Sequence, residues 1–210
     1  MTVYFDLDGT LIDSSIRHGK LLEDIFLDLG IETEKYSAEA YLNYKRDGKN
    51  TFSYLTNCLC LENNLADKVC KLWVEHIEDE KYLDQDVLFP ETIDALNILS
   101  EKKIPVVYVS ARRNKQGVVE WLKDRKIDRF AEDIFIVDSI NATKEKLKVL
   151  LPRIKQDDCL VGDTEVEWET GKKLGIETII LNRGFRSKSF WNDKQVHSYE
   201  SILEGLKGLL

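Results

Sequence analysis

Two aspartates two residues apart, Asp6 and Asp8, stand at the end of the apolar run Val3-Tyr4-Phe5 and are followed by Gly9 and Thr10. Charged groups at the end of a buried strand are costly unless they are paired, hydrogen-bonded or bound to a cation. Two carboxylates in that place suit a divalent cation, a nucleophile, or both. A plain turn is the alternative, since Asp, Gly and Thr are ordinary turn residues. A calcium loop fails, because its pattern needs Gly sixth and here Gly stands fourth. Later apolar runs close in the same way on Ser110, Asp138 and Asp163. A turn explains any one of these, but a set of polar groups converging on one sheet edge is harder to explain so.

The elements that must position these groups follow from hydrophobic periodicity. Runs at 3–6, 106–110, 134–138, 159–163 and 178–181 read as buried strands. Helical spacing joins Ile93, Leu96 and Leu99, then Val118, Trp121 and Leu122, then Leu147, Leu150 and Leu151. It continues in Val166, Thr170 and Leu174, and in Ile202, Leu206, Leu209 and Leu210. Strands alternating with helices of this size predict βαβ units and a parallel sheet.

Residues 15 to 85 break the alternation. Leu22, Ile25, Phe26 and Leu29 make one amphipathic stripe ending at Gly30 as a C-cap, and Leu65, Val69, Leu72, Trp73 and Ile77 make another. The expected architecture is an α/β core of three layers, a Rossmann-like parallel sheet between helices, built from residues 1–14 and 86–210. An all-helical cap of residues 15–85 is inserted into it. The insertion leaves from the carboxyl edge of the sheet, where open α/β sheets bind ligands, so it reads as a lid with hinges near 12–14 and 84–89.

Composition sets the outer bounds. The 210 residues are 43% hydrophobic and 32% charged with a formal charge of −8, a balance that argues against general nucleic-acid binding. No apolar stretch approaches the ~20 residues of a membrane helix. The first strand follows directly on Met1, so no secretory signal and a cytoplasmic location are expected. Cys58, Cys60, Cys70 and Cys159 show no zinc spacing and read as reduced structural thiols. His18, His76 and His197 lack partner spacing and read as surface or packing residues.

Four segments together resemble the haloacid dehalogenase superfamily, in its phosphatase branch with an inserted helical cap of the phosphoglycolate phosphatase-like kind. They are Asp6-Leu7-Asp8-Gly9-Thr10-Leu11-Ile12-Asp13-Ser14, the strand Val106-Val107-Tyr108-Val109-Ser110, a lysine opening a helix, and Leu160-Val161-Gly162-Asp163-Thr164 followed by Glu167. Lys144 matches the lysine best, with a solvated face of Lys144, Lys146 and Lys148 as the alternative. Glu167 departs from the family pattern, which has Asp there. The resemblance implies an Mg²⁺-dependent phosphomonoester hydrolase acting on a small phosphorylated metabolite through an aspartyl-phosphate on Asp6. Asp8 would be general acid and then base. Asp6, the Asp8 carbonyl and Asp163 would ligate Mg²⁺, with Glu167 holding metal waters. Ser110, the Ala111 amide and Lys144 would bind phosphoryl oxygens. Ser110 as a helix cap stays open, although Asn114 serves that purpose. The second aspartate and the Asp163 site argue against carbon–halogen chemistry, whereas a phosphomutase or a non-catalytic binding protein on the same fold stays open. Arg17 and the basic stretch Lys45, Arg46 and Lys49 are candidates for substrate selection. The expected assembly is a monomer or small homo-oligomer.

Overall fold

Val3 and Phe5, Val106 and Tyr108, and Cys159 and Val161 bury on one face of a sheet, while Tyr4, Val107, Val109 and Leu160 bury on the other. Strand side chains alternate between faces, so a run covered on both sides must be apolar throughout. The computed structural model describes residues 1–32 and 34–209. In chain order, β1 (Val3–Phe5) leads to a two-residue strand β2 (Ile12–Asp13). Five helices follow: α1 (Ser15–Asp28), α2 (Ala38–Arg46), α3 (Thr51–Asn57), α4 (Asn63–His76) and α5 (Glu80–Leu83). A second short strand, β3 (Val87–Leu88), returns antiparallel to β2 and pairs Ile12 with Leu88 and Asp13 with Val87.

Strict alternation follows. Helix α6 (Thr92–Glu101) leads to β4 (Val106–Ser110), α7 (Lys115–Asp124) to β5 (Asp133–Ile136), α8 (Ala142–Leu150) to β6 (Cys159–Gly162), and α9 (Glu165–Leu174) to β7 (Glu177–Ile180). Helices α10 (Lys188–Asp193) and α11 (Ile202–Leu206) end the described chain. The five long strands form one parallel sheet in the order β5-β4-β1-β6-β7. From β1 the chain builds outward through β4 and β5, then returns to the other side of β1 for β6 and β7. The carboxyl ends of β4, β1 and β6 therefore frame the reversal point where such sheets form a crevice.

Helices α1 to α5 share a cluster of their own. Leu21, Leu22, Ile25 and Phe26 of α1 pack with Tyr41, Tyr54, Leu55, Ala66 and Val69. Helix α1 ends as its sequence predicts: Gly30 takes φ +63°, Ile31 N–H donates to the Phe26 carbonyl at 2.9 Å, and Gly30 N–H donates to Leu27 at 3.1 Å. That pair of bonds is a Schellman motif.

Some expectations shift. Asp6 and Asp163 lie one residue beyond their strands and Asp138 lies two, because the last ladder positions are Phe5, Gly162 and Ile136. Within the two segments expected as hinges, Ile12–Asp13 and Val87–Leu88 pair with each other as β2 and β3. Helix α10 was not foreseen, since six residues with only Trp191 buried carry no periodicity. Of the basic stretch, Lys45 and Arg46 belong to the last turn of α2. Leu210, placed at the end of the last amphipathic stripe, is outside the described residues. Among the described residues no helix is long and apolar enough to cross a membrane, and the four cysteines are free.

Candidate active site

The carboxylate of Asp6 sits beyond β1, between the ends of β4 and β6, and the Asp6 N–H donates to the Val161 carbonyl at 2.9 Å. Gly162 ends β6, Asp163 follows, and Thr164 caps α9 with Glu167 in a reciprocal capping box. This short strand-to-helix turn brings carboxylate oxygens of Asp6, Asp163 and Glu167 within 4.8 Å of one another. Lys146 of α8 lies between two of them, with Nζ donating to Asp6 Oδ1 and to Glu167 Oε1, both at 2.6 Å. Glu167 Oε2 accepts from the Thr164 hydroxyl at 2.7 Å and the Thr164 N–H at 3.2 Å.

Three buried carboxylates with one ammonium leave surplus negative charge. Burial pushes the Asp6 carboxyl up to about 7, against the pull of Lys146 and with the repulsion of Glu167. Burial likewise raises Asp163 well above the ordinary carboxylate range, reinforced by Glu167 and Asp6. Burial alone would lower the Lys146 pKa, but Asp6 and Glu167 outweigh it and raise it. The cluster suits a small divalent cation. Its donors are hard oxygens, and Asp163 Oδ1 is buried without a hydrogen-bond partner while Oδ2 accepts from the Phe185 N–H at 2.6 Å. Gly9, at φ +74°, and Gly184 both pass so close to this carboxylate that a Cβ on either would collide with it.

Asp8 faces the other way, into a second charge cluster. Arg112 Nε donates to Asp8 Oδ2 at 2.7 Å and Nη2 to Oδ1 at 2.6 Å, a bidentate fork. Arg17 of α1 adds a third bond, from Nη2 to Oδ1 at 2.6 Å. Asp86, just before β3, is a second carboxylate for both arginines, at 2.9 Å from Arg112 Nη2 and 3.2 Å from Arg17 Nε. Burial would raise the Asp8 pKa, but Arg112 and Arg17 outweigh it and hold the carboxyl well below its usual range. Burial pushes Asp86 up to about 6, Asp8 adds to the rise, and the two arginines oppose it. In this arrangement Asp8 is an ionised acceptor.

Beside Asp8 lies a cavity of ≈250 Å³ whose walls include Arg17, His18, Trp73, Arg112 and Phe185. At ~30 Å³ per water molecule that is room for a small leaving group. His18, 8% exposed, packs on Trp73 and Phe185, and its Nδ1 lies 3.1 Å from Lys45 Nζ. Burial lowers the His18 pKa well below its ordinary value, with Lys45 adding repulsion, so the ring is neutral. An ammonium donating to Nδ1 leaves the ring proton on Nε2. Lys45 Nζ also lies 4.9 Å from the Trp73 ring and 5.2 Å from the Phe185 ring, and it makes no ion pair among the described residues. Burial pushes its pKa down to about 7, with Arg186 and Arg17 contributing repulsion.

A base whose folded-state pKa is lowered destabilises the fold where the unfolded chain would hold it protonated. That cost is full at and below about pH 7 and fades as pH rises toward the ordinary ~10.4. Lys45→Met should therefore raise Tm at neutral pH by about 2–4 °C, the equivalent of ~1 kcal/mol in a chain of this size. The gain should shrink steadily in thermal melts taken at increasing pH.

The expected site residues do not all meet. Asp6, Asp163 and Glu167 come together as expected, and Ser110, buried, ends β4 on the same edge with Ala111 following at the cavity wall. Lys144 requires correction. It is exposed on α8, and the lysine that reaches the cluster is Lys146. Lys146 and Leu150, four residues apart, form the buried face of α8, whereas Lys144 and Lys148 share an exposed one. In the sequence Lys146 stands at helical spacing from Leu150 and Lys144 from Leu147 and Leu151, so spacing alone did not separate them. Asn114 caps α7, its Oδ1 accepting from Gly117 N–H at 2.9 Å, and Asp138 Oδ1 accepts from Ile140 N–H at 2.7 Å, a local turn bond.

The basic stretch divides. Lys45 reaches His18 behind the cavity wall. Arg46 instead ties α2 to the core, its Nε donating to the Gly184 carbonyl at 3.1 Å. Lys49 stands 4.6 Å from the Tyr44 ring and 3.7 Å from Asp47, outside the cavity wall. His18 was expected at the surface or in packing; it packs on Trp73 and Phe185, and its place on the cavity wall was not legible. Arg112 and Asp86 were missed because each finds its partners only through tertiary contact. His76 pairs with Asp79 on the surface at 2.8 Å, and His197 packs on Tyr199.

Comparison with known proteins agrees with this geometry. The family model for haloacid dehalogenase-like hydrolases matches residues 3–181. A phosphoglycolate phosphatase of Aquifex aeolicus is 26% identical over 195 residues, covering 87% of this chain and 85% of that one. The pyrophosphatase PpaX of Halalkalibacterium halodurans is 22% identical over 205 residues, covering 90% and 86%. Among solved structures, a haloacid dehalogenase-like family hydrolase from Streptococcus pneumoniae shares the fold with a TM-score of 0.78 at 21% identity, covering 100% of this chain and 98% of its own. With the Asp6–Asp163–Glu167 cluster at the reversal point of the sheet and a family match over most of its length, the chain belongs to the haloacid dehalogenase-like hydrolases.

Proposed function

We propose that this chain is an Mg²⁺-dependent phosphatase that hydrolyses a small phosphomonoester through an aspartyl-phosphate on Asp6. The observation that carries this reading is the Asp6 carboxylate held at 2.6 Å from Lys146 inside a cluster with Asp163 and Glu167. Asp6, Asp163 and the Asp8 carbonyl would hold the cation, which supplies charge neutralisation between an anionic nucleophile and an anionic phosphoryl group. Glu167, whose carboxylate already serves Lys146 and Thr164, would act through water.

Asp6 attacks phosphorus, the bond to the leaving oxygen breaks, and that oxygen takes a proton from Asp8. Water then attacks the aspartyl-phosphate, Asp8 takes its proton, and inorganic phosphate departs. Ser110, the Ala111 amide and Lys146 hold the phosphoryl oxygens through both steps. Protonated Asp8 cannot keep the three guanidinium bonds it accepts in this arrangement, so Arg17 and Arg112 must loosen from it before the first step. Helices α1 to α5 serve as a cap, with the β2–β3 ribbon as its hinge, and cap closure keeps bulk water from the intermediate.

The relatives' names bear on substrate. Phosphoglycolate and pyrophosphate both carry a second acidic group beside the transferred phosphoryl, and the cavity beside Asp8 has room for a leaving group of that size. A panel of phosphorylated metabolites and an aryl phosphate, assayed with Mg²⁺ and with EDTA, tests the reading. Turnover of at least one small phosphoester that vanishes on chelation is expected. Absence of metal-dependent turnover on every ester would overturn it.

A further inference from the structure

Arg17 and Arg112 approach Asp8 from opposite sides of the cleft, one from the first helix after β2 and the other from the loop after β4. Both are only 3% exposed, and both line the ≈250 Å³ cavity. Two carboxylates, Asp8 and Asp86, are shared between them. The hydrogen-bonding capacity is not exhausted: Arg112 Nη1 is buried without a partner, and Arg17 Nε faces Asp86 at 3.2 Å without hydrogen-bond geometry. A buried guanidinium N–H left unpaired is expensive, and it signals a ligand that completes it. Behind the cavity wall at His18, Lys45 adds a basic nitrogen that has no carboxylate partner among the described residues.

We propose that Arg17 and Arg112 form a clamp for a second anionic group, carboxylate or phosphoryl, on the leaving-group side of the substrate, and that Asp86 is the residue that positions both arginines for it. This rests on the reading of the Asp6 cluster as the phosphoryl site. The placement has a physical logic. A planar guanidinium fork recognises an oxyanion bidentately, and one fork from each side of the cleft lets the substrate itself bridge cap and core. The second anion takes guanidinium hydrogen bonds that Asp8 now accepts. A correct substrate thereby releases Asp8 as it binds, whereas a leaving group without the anion leaves Asp8 engaged. Asp86 keeps both guanidiniums in place during the exchange, because its contacts to Arg112 Nη2 and Arg17 Nε do not pass through Asp8.

The test compares 2-phosphoglycolate with ethyl phosphate, which differ only in a terminal carboxylate against a methyl group. Calorimetric titration of the Asp6→Asn protein in Mg²⁺ reads affinity without turnover. 2-Phosphoglycolate should bind at least about tenfold tighter, as one charge-assisted bidentate contact requires. Arg112→Gln and Arg17→Gln in the same background should bring that ratio close to one. Asp86→Asn should reduce it, and Asp86→Glu should restore it, a recovery that a purely structural role would not tie to the ratio. Pyrophosphate, as a third ligand, shows whether the clamp favours phosphoryl over carboxylate. Equal affinity for 2-phosphoglycolate and ethyl phosphate before any arginine is changed would overturn the proposal, whether or not the arginine variants fold. So would a ratio that persists in folded Arg112→Gln and Arg17→Gln proteins. Failure of the unmodified protein to hydrolyse any phosphoester is a separate result, which bears on the role of Asp6.

Discussion

Asp6→Asn should abolish turnover, by on the order of 10⁴–10⁶-fold, the scale seen when a covalent nucleophile is removed. An amide oxygen can still accept the Lys146 hydrogen bond, so the contact at 2.6 Å has a neutral substitute. What is lost is the charge and the lone pair that attack phosphorus in the proposed mechanism. The same change should not unfold the protein. Burial and the nearby Glu167 and Asp8 push the Asp6 carboxyl up to about 7, so the environment resists its charge. Removing that charge leaves Lys146 paired with Glu167 and relieves repulsion with Asp163. Tm should hold or rise while activity disappears, the usual separation of stability from function at a strained site. Intact-mass analysis after a rapid acid quench should find a phosphorylated protein in the wild type and none in Asp6→Asn. A phosphorylated Asp6→Asn chain would move the nucleophile elsewhere.

The second large effect distinguishes two lysines. Lys146→Met should reduce kcat by about 10²–10³-fold, the range for loss of one preorganised charge-stabilising group. Lys144→Met should leave activity within about twofold of wild type. Stability should separate them too. Lys146 is 1% exposed and is the cation between Asp6 and Glu167, so its removal leaves buried like charges facing each other. Breaking such a pair costs ~3–5 kcal/mol, which in a chain of this size means a fall in Tm of about 6 °C or more. Mg²⁺ should recover more of that loss in Lys146→Met than it adds to the wild type, because the cation replaces the missing positive charge. Melts with and without Mg²⁺ check this. Equal behaviour of the two variants would return the phosphoryl-binding role to neither lysine.

Legibility followed the range of the interactions. The parallel sheet was readable because a strand buried on both faces must be apolar until it reaches the sheet edge, as residues 3–5 and 106–109 are. The helical insertion was readable because the stripes of α1 and α4 repeat at helical spacing, and Gly30 ended the first of them at a left-handed residue. The family resemblance lay in contiguous runs, Asp6 to Ser14 and Leu160 to Thr164 with Glu167, whose geometry is local. Glu167 also shows how a local pattern can carry two meanings, since it completes a capping box with Thr164 and receives Lys146 at the cluster.

Interactions across the fold were a different matter. Lys144 and Lys146 are two residues apart on a helix, about 200° around its axis, so only the docking of α8 on the sheet decides which one turns inward. Arg112 and Asp86 are ordinary charged residues until the β2–β3 ribbon, the loop after β4 and the start of α1 converge on Asp8. Lys45 and Lys49 differ in the sequence only by position, yet one ends among Trp73, Phe185 and His18 and the other beside half-buried Tyr44 and exposed Asp47. By itself the sequence determined the sheet, the inserted helices and the carboxylates at the strand ends, because each depends on neighbours within a few residues. The tertiary structure alone decided which lysine neutralises Asp6 and which arginines restrain Asp8, because a buried charge is defined by partners brought from distant segments and by the water they exclude.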